Sequence, residues 1–371
     1  MDSPFMHGIV MCQIGSVIRP ITKKEESKMK IMRVGVDLAK SVFQVHAVNG
    51  QGRVVARKRL SRGQMTTYFS RLEPCVVGME ACASAHHWSR VLQALGHEVR
   101  LMAPQFVHPY RKGGKNDGND AEAICEALSR PNMRFVAVKS LEQQAVLTLH
   151  RARELLVRER TALVNQIRGL LAEYGVVLKL GVAAVRRGVP EVLEAEGNGL
   201  PSLARETFAE LHERLIELDG RVTLYDRRIA VLAEEMEAAK RLMQMPGIGP
   251  VTATALVASV GDGRHFANGR QFAAWLGLVP RQHSSGGKIR HGRITKRGER
   301  YLRTLLVHGA RARVCQSRRR EDGASRWARA VWARRGFNKA TVALAARHAR
   351  MVWAMLARGE DYRPLPEALN A

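Results

Sequence analysis

The sequence has 371 residues, of which 46% are hydrophobic, and its 60 lysines and arginines against 34 acidic residues give a net charge of +26. The hydrophobic fraction excludes a disordered basic tail and, at roughly 100 to 200 residues per domain, predicts two or three folded domains. The segment from residue 281 to 350 contains 20 basic and 3 acidic residues, and such a concentration of one sign predicts a nucleic-acid partner.

Several classes of protein are excluded by what the sequence lacks. No apolar run approaches the roughly 18 to 20 residues that a membrane span requires, and the N-terminal stretch lacks the basic start of a signal peptide. The five cysteines are widely spaced without a C-x-x-C pair, which is typical of reduced thiols in the cytoplasm and gives no indication of a zinc site. A P-loop is also missing, so ATP-driven work is not indicated.

The first predicted domain covers residues 33–140 and follows a leader, residues 1–32, which has no clear period and which we interpret as a disordered segment outside the fold. Short β-branched runs predict its five strands, at Arg33–Asp37, Val42–Val48, Val54–Arg59, Cys75–Glu80 and Glu98–Met102. The first three follow one another closely, as in an antiparallel meander, whereas a helix-length segment separates the last two. This order is that of a mixed α/β sheet of the ribonuclease H-like fold.

Four acidic residues are candidates for one site on this sheet. Asp37 and Glu80 each close an apolar strand, so both carboxylates are expected at one sheet edge. Asp117 and Asp120 are three residues apart where a helix is predicted to begin, and therefore share a side of that helix. Each acid alone fits an N-cap, turn or surface residue, but the ordered set on this fold predicts a metal site.

The expected metal is Mg²⁺ or Mn²⁺. Four carboxylates repel one another too strongly to remain ionised together without cations, and Mg²⁺ prefers oxygen ligands. Two such ions about 3.5 to 4 Å apart would stabilise the attacking and leaving oxygens of a phosphoryl transfer.

A helical region is predicted over residues 141–240. In its first helix a leucine recurs every seven residues, at Leu149, Leu156, Leu163 and Leu170. After an irregular segment, 175–201, a second heptad pattern includes Phe208, Leu211, Leu215, Leu218, Val222, Tyr225, Ile229, Leu232 and Met236. This coiled-coil pattern indicates either an intramolecular hairpin of the two helices or, as we favour, association of subunits.

Residues 241–371 form the third predicted region, which is basic and mostly helical, and no strand is predicted beyond about residue 140. The run from Pro246 to Pro250, Pro-Gly-Ile-Gly-Pro, predicts either a helix-hairpin-helix whose backbone N–H groups bind phosphate or an ordinary tight turn. Four tryptophans fit core positions better than base-stacking platforms: Trp275, Trp327, Trp332 and Trp353.

The segment from Arg281 to Arg293 contains Ser-Ser-Gly-Gly, which by composition is a flexible loop. The basic residues around it could clamp a phosphate beside a hydroxyl group: Arg281, Lys288, Arg290, Arg293, Lys296 and Arg297. A serine in this position is a candidate nucleophile toward phosphorus if a base or metal activates it. His283 and His291 suit a phosphate contact or a solvated position better than the role of the base.

Taken in order, these motifs resemble the IS110 family of insertion-sequence transposases. The resemblance rests on Gly-Val-Asp37-Leu-Ala-Lys, Met-Glu80-Ala, Asn-Asp117-Gly-Asn-Asp120-Ala, Pro-Gly-Ile-Gly and Phe-Ala-Ala-Trp-Leu-Gly-Leu-Val-Pro-Arg-Gln-His-Ser-Ser285-Gly. It implies a RuvC-like domain whose D-E-D-D set is formed by the four acids above. It also implies a C-terminal transposase domain whose nucleophile is the serine directly before a glycine, Ser285, with Ser284 beside it.

The resemblance further implies the reaction and the partners. The serine would attack a DNA phosphate and form a covalent phosphoserine intermediate, while the carboxylates hold Mg²⁺. A structured noncoding bridge RNA would pair with double-stranded donor and target DNA and act as a guide. The implied assembly is a dimer or tetramer whose active sites combine domains of different subunits, in the bacterial cytoplasm and associated with the nucleoid.

Physical arguments agree with this reaction. A covalent protein–DNA link conserves the phosphodiester energy, so strand exchange needs no ATP. Guidance by RNA suits a protein that is rich in arginine but has no recognisable module for reading bases. Two alternatives remain: a RuvC-like nuclease or junction resolvase whose carboxylates direct water at the phosphate, and a non-catalytic nucleic-acid-binding scaffold.

Overall fold

The computed structural model describes residues 30–113, 116–286 and 288–364, and its packing forms two compact units, one ending at Val138 and one beginning at Lys139. The predicted leader lies outside the described residues except for its last three. Within these ranges every helix is too short or too polar to cross a bilayer.

The first unit is built on a six-stranded sheet of order β3-β2-β1-β4-β5-β6. Its strands are β1 Arg33–Leu38, β2 Val42–Val48, β3 Val54–Ser61, β4 Val76–Glu80, β5 Glu98–Met102 and β6 Phe135–Val136. β1 and β4, and likewise β4 and β5, are parallel, while the other neighbours are antiparallel. The predicted mixed α/β sheet is therefore confirmed, with β6 as an additional short edge strand.

Four helices accompany this sheet: α1 Gln64–Ser70, α2 Ala85–Ala94, α3 Pro104–Val107 and α4 Asp117–Leu128. Because side chains alternate along a strand, β1 has two different faces. Val34 and Val36 are buried in a core shared with α1 and α2, whereas Gly35, on the opposite face, lies against α4. The sheet is thus covered on both faces, and α4 is held where its first turn approaches the end of β1.

The second unit begins with two long helices, α5 Leu141–Ala172 and α7 Ser202–Glu235, with α6 Val182–Glu194 between them. The helices α5 and α7 pack on each other within one chain, and they share a core with α6. The predicted heptad pattern of α5 is confirmed only in part, because Leu170 is 41% exposed whereas its neighbour Leu171 is buried. A straight α-helix drifts by about 20° per heptad, so three heptads turn the next residue toward the partner helix.

The remaining helices are α8 Glu237–Met243, α9 Pro250–Val260, α10 Gly269–Trp275, α11 Arg300–Gln316, α12 Gly323–Arg335 and α13 Phe337–Ala357. They enclose a core against which the four tryptophans are partly buried. The expectation of no strand beyond residue 140 is wrong, because β7 Pro280–Gln282 and β8 His291–Ile294 form an antiparallel hairpin. Both strands are short and rich in arginine, glycine and histidine, so they lack the β-branched runs that predicted the first sheet.

Candidate active site

The first two carboxylates are placed by the pairing of β1 with β4. These parallel strands pair Gly35 with Gly78 and Val36 with Met79, so the next position along each strand is Asp37 and Glu80. Glu80 ends its strand as expected, whereas Asp37 is followed by one more strand residue, Leu38. Both acids are half-buried at the same edge of the sheet.

The other two carboxylates lie on the first turn of α4, which begins at Asp117 as the spacing predicted. Asn116 caps this helix, and its side-chain oxygen accepts a hydrogen bond of 2.9 Å from the backbone N–H of Gly118. Acidic residues in a first turn are favoured by the helix dipole. Asp117 and Asp120 are therefore stable there for a local reason, independently of any ligand.

Two paired glycines allow α4 to approach the sheet. A Cβ atom on Gly35 would lie 2.3 Å from the carbonyl oxygen of Ala121 and 2.6 Å from the backbone nitrogen of Cys125. On the neighbouring strand, a Cβ atom on Gly78 would lie 3.1 Å from a methyl carbon of Leu128. This role of Gly35 was not predicted from the sequence. A glycine between two valines, in a strand that leads into Asp37, was nevertheless a signal of a close backbone approach.

Three of the four predicted acids come together in this arrangement. One oxygen each of Asp37, Asp117 and Asp120 lies within 4.8 Å of the other two. Glu80 is outside that group, but its pKa is raised by burial and also by the charges of Asp37 and Asp120. Converging carboxylate oxygens of this kind fit a divalent cation such as Mg²⁺, because a cation relieves their mutual repulsion.

One cation of the chain already faces this group. Arg111 lies 3.4 Å from Asp120, measured between Nη1 and Oδ1, and its other terminal nitrogen is 3.1 Å from Nε2 of His108. Arg111 also lowers the pKa of Glu80, against the larger effect of burial. Sequence reasoning did not single out Arg111, which is one of many arginines and follows no recognisable motif.

The candidate nucleophile lies in the second unit, near the tip of the hairpin formed by β7 and β8. Ser285 is exposed, and its backbone oxygen accepts a hydrogen bond of 3.1 Å from the N–H of Lys288. The hydroxyl oxygen of the neighbouring Ser284 accepts a hydrogen bond of 3.0 Å from the amide of Gln282. The segment expected to be a flexible loop is thus a cross-bridged turn, with Gly286 in the left-handed region at φ +55°.

The six predicted phosphate-binding residues are distributed along the hairpin from its turn to its base, and all are exposed: Arg281, Lys288, Arg290, Arg293, Lys296 and Arg297. In the part of the chain that the structure describes, none of the six forms an ion pair with a carboxylate. Arg281 donates one hydrogen bond, to the backbone oxygen of Thr295 at 3.4 Å. Unpaired and exposed, these charges are available to an anion such as a nucleic-acid phosphate.

The base of the hairpin is held by two backbone crossings. A Cβ atom on Gly277 would lie 2.2 Å from the carbonyl oxygen of Arg297, and one on Gly298 would lie 1.8 Å from the carbonyl oxygen of Trp275. Arg303 of α11 donates to the carbonyl oxygen of Leu276 at 2.9 Å. Close backbone contacts therefore anchor the base of the hairpin that carries Ser285.

The Pro-Gly-Ile-Gly-Pro turn joins α8 to α9. Gly247 has φ +97°, and its backbone packs against Gly309 of α11, where a Cβ atom on Gly309 would lie 1.9 Å from the carbonyl oxygen of Gly247. Ile248 is buried, whereas Gly249, at the N-terminus of α9, is exposed. Gly247 and Ile248 thus take part in packing, whereas Gly249 is exposed to solvent.

Comparisons with known families match both units. Residues 239–325 match a family model described as "Transposase IS116/IS110/IS902 family". Residues 34–176 match a model of DEDD transposases of the IS110 group, described as "Transposase". The first range contains the serine hairpin, and the second contains all four predicted acids.

Whole-chain relatives carry similar names. The chain is 52% identical over 337 residues to a Pseudomonas aeruginosa protein named "Probable family 20 transposase". The matched region covers 91% of this chain and 100% of the relative. The chain is 42% identical over 363 residues to the transposase for insertion sequence element IS1111A of Coxiella burnetii, covering 98% and 99% of the two chains. It is 40% identical over 328 residues to the transposase for insertion sequence element IS1328 of Yersinia enterocolitica, covering 88% and 97%.

Proposed function

The chain belongs to the IS116/IS110/IS902 family of transposases and is a DNA-cleaving and DNA-joining enzyme, and from this premise we propose that it exchanges DNA strands through a covalent intermediate on Ser285. In this proposal a divalent cation, Mg²⁺ or Mn²⁺, is held by Asp37, Glu80, Asp117 and Asp120. The observation that carries the proposal is the convergence of three aspartate oxygens within 4.8 Å of one another on the sheet unit. Such a group fits an enzyme that transfers phosphoryl groups with metal assistance.

In this proposal each domain has its own role. Residues 33–140 form the RuvC-like domain with the carboxylates, 141–240 the helical region, and 241–371 the transposase domain with the serine and a helix-hairpin-helix-like turn. Oligomerisation, to a dimer or tetramer, is proposed to bring domains of different subunits into one active site. The exposed Ser285 and the unpaired cations around it support a role in contact with a large anionic substrate.

The proposed reaction balances without an external energy source. The hydroxyl oxygen of Ser285 loses its proton and attacks phosphorus; the bond between serine and phosphorus forms, and a sugar oxygen leaves and takes up a proton. In the second step the hydroxyl oxygen of another DNA end loses its proton and attacks the same phosphorus, the bond between serine and phosphorus breaks, and the serine oxygen takes up a proton. A bound cation would supply charge stabilisation for the phosphoryl group.

Arg281 and the neighbouring basic residues are proposed to bind the phosphates beside the reacting one. Arginine pairs with phosphate through two parallel N–H bonds, so these side chains orient the DNA as well as attract it. A structured noncoding RNA is proposed to select the donor and target DNA. The support for this RNA is the size of the positive charge, together with the lack of a recognisable base-reading module in the sequence.

The test is to look for the covalent intermediate. The purified full chain, with its copurifying RNA, is incubated with Mg²⁺ and labelled duplex DNA that spans the joined ends of its own insertion element. We expect a DNA–protein adduct on a denaturing gel, located by mass spectrometry at Ser285 and lost in Ser285→Ala but retained in the matched control Ser284→Ala.

Three results would change the proposal. An adduct that survives in Ser285→Ala at the level of the unsubstituted protein contradicts the serine assignment. Hydrolysed ends without an adduct would favour a RuvC-like nuclease or junction resolvase that uses water. Full activity of Asp37→Asn would contradict the metal site.

A further inference from the structure

A row of three polar side chains crosses the sheet outward from the carboxylates. In the antiparallel pairing of β1 with β2, Asp37 pairs with Gln44, and in the pairing of β2 with β3, Gln44 pairs with Arg59. Residues paired across neighbouring strands project on the same face of a sheet. With adjacent strands about 4.7 to 4.9 Å apart, the row places Arg59 about 10 Å from Asp37.

This face is the one on which α4 lies. In the preceding row of the sheet, Gly35 pairs with His46 and His46 with Arg57; Gly35 contacts α4, and Arg57 forms an ion pair of 3.1 Å with Glu122 of α4. Residues two apart on a strand share a face. The row of Gln44 and Arg59 therefore lies on the α4 side of the sheet, together with Asp37.

A small cavity opens at this row. It has a volume of about 150 Å³ and is lined by β2, β3 and the first turns of α4, including Gln44, His46, Arg59 and Gly118. Gly118 directly follows Asp117, and Gln44 pairs with Asp37, so the cavity is lined by residues next to two of the carboxylates. The lining residues on β3 are all basic: Arg57, Lys58 and Arg59.

Arg59 differs from its two neighbours on β3. Arg57 is neutralised by Glu122, and the ammonium group of Lys58 lies over the ring of Tyr68, on the other face of the strand. Arg59 is exposed and, among the residues that the structure describes, has neither a hydrogen bond nor an ion pair. An unpaired guanidinium group beside a cavity is suited to a phosphate group.

We propose that Gln44 and Arg59 bind a backbone phosphate of the DNA strand whose reacting phosphate lies at the carboxylates. This inference rests on the proposed metal-assisted reaction and adds to it a second phosphate site, formed by the guanidinium group of Arg59 and the amide N–H of Gln44. Successive phosphates of a strand lie farther apart than the axial rise of about 3.4 Å per nucleotide, so a separation of about 10 Å corresponds to roughly one or two nucleotides. The contact fixes the register of the strand relative to the carboxylates.

DNA is favoured over a guide RNA at this site because of its neighbours. The strand that reaches the carboxylates is the strand that reacts, and the cavity is lined by Gly118, which follows Asp117, and by Gln44, which pairs with Asp37. A phosphate bound by Arg59 therefore belongs to the reacting DNA.

The test compares two substitutions that remove the same charge. Arg59→Gln removes the cation beside the cavity, and the control Arg53→Gln removes an exposed cation directly before β3 that does not line the cavity. The binding of the full chain, with its copurifying RNA, to the joined-end duplex is measured with Ca²⁺ in place of Mg²⁺ over a range of salt concentrations. We expect Arg59→Gln to weaken binding about tenfold and to reduce the slope of log affinity against log salt by about 1, and Arg53→Gln to change neither.

A second measurement places the contact on the DNA. A single neutral methylphosphonate, moved along the strand, should weaken binding of the unsubstituted protein at a position about one or two nucleotides from the reacting phosphate and have no further effect in Arg59→Gln. Equal losses for both substitutions, or additive losses at that position, overturn the proposal. A loss confined to binding of the RNA alone overturns it in favour of an RNA contact. Because Ser285→Ala should bind with the unsubstituted slope, failure of the serine reaction does not affect the outcome.

Discussion

Gly35 and Ala121 approach so closely that a methyl group on the glycine would lie 2.3 Å from the alanine carbonyl oxygen. This contact joins the central strand of the sheet to the helix that carries two of the acids. Asp37 lies two residues beyond the glycine, and Asp120 directly precedes the alanine. The backbone contact therefore sets the distance between carboxylates that come from separate parts of the sequence.

Gly35→Ala is expected to disturb the metal site. A well-packed core loses about 1 to 3 kcal/mol of unfolding free energy when a methyl group is forced into it, and here α4 must move. We expect the affinity for Mn²⁺, measured by isothermal titration calorimetry, to fall by about tenfold or more. The control is Gly63→Ala, because a Cβ atom on Gly63 would meet nothing within 4 Å. Unchanged Mn²⁺ affinity in Gly35→Ala would show that this contact does not position the carboxylates.

Gly277→Ala is expected to slow the reaction of the serine without weakening DNA binding. The new methyl group would collide with the carbonyl oxygen of Arg297 and shift the hairpin, whereas the exposed cations would remain. A displacement of a reacting group by about 1 Å can reduce the rate by about 100-fold. The rate of adduct formation and the affinity for DNA are measured separately.

The control for this substitution is Gly199→Ala. Gly199 also has a positive φ, +73°, but a Cβ atom there would meet nothing within 4 Å. It therefore reproduces the backbone strain without the collision. Equal rates of adduct formation in the two variants would contradict the role of the hairpin base.

Two buried histidines predict a pH-dependent stability of the second unit. Burial, reinforced by nearby arginines, lowers the pKa of both His150 and His348 to about 4. His150 is held between the hydroxyl groups of Tyr301 and Thr254, at 3.0 Å from each. Both side chains are neutral in the folded chain above that pH, while the unfolded chain takes up their protons below about 6.5.

The sign follows from this difference. The stabilisation is fully present above pH 6.5 and is lost as the pH falls toward 4, because the unfolded state binds more protons. Each histidine contributes a slope of about 1.4 kcal/mol per pH unit to the free energy of unfolding in that interval. Urea titrations at several pH values should show a slope smaller by about one proton in His150→Gln than in the unsubstituted chain. A full slope in His150→Gln would contradict the assignment.

The sheet could be predicted well because its signal is local. Val42–Val48 and Glu98–Met102 have the predicted bounds, since β-branched runs with few interruptions encode a buried strand directly. The start of α4 was also predicted, from its two aspartates. Strand ends placed Asp37 and Glu80 at one sheet edge, whereas the approach of Asp117 and Asp120 to Asp37 was expected only from the ordered set of four acids.

Other features depend on contacts distant in sequence and could not be predicted. The close packing of α4 on Gly35 and of Gly277 on Arg297 brings together backbone segments that are distant in the sequence. A single glycine in a sequence does not indicate which backbone segment packs against it. The hairpin that carries Ser285 is polar and exposed on both strands, so hydrophobic periodicity gives no signal for it.

The surface of α7 leads to the last prediction, on association. The heptad residues Leu215 and Leu218 are buried within the chain, so they are not available to another subunit. Ile216, Leu224 and Val231 remain 45%, 45% and 60% exposed, and spacings of eight and seven residues place them on one outer side of the helix.

If subunits associate through α7, they must use this outer side, and Leu224→Glu should reduce the mass measured by light scattering while leaving the unfolding midpoint nearly unchanged. Leu141→Glu, at the exposed first residue of α5, is the control. Leu215→Ala should instead cost about 2 to 5 kcal/mol of unfolding free energy, because it empties an intramolecular contact. An unaltered mass in Leu224→Glu would place the subunit contacts elsewhere on the chain.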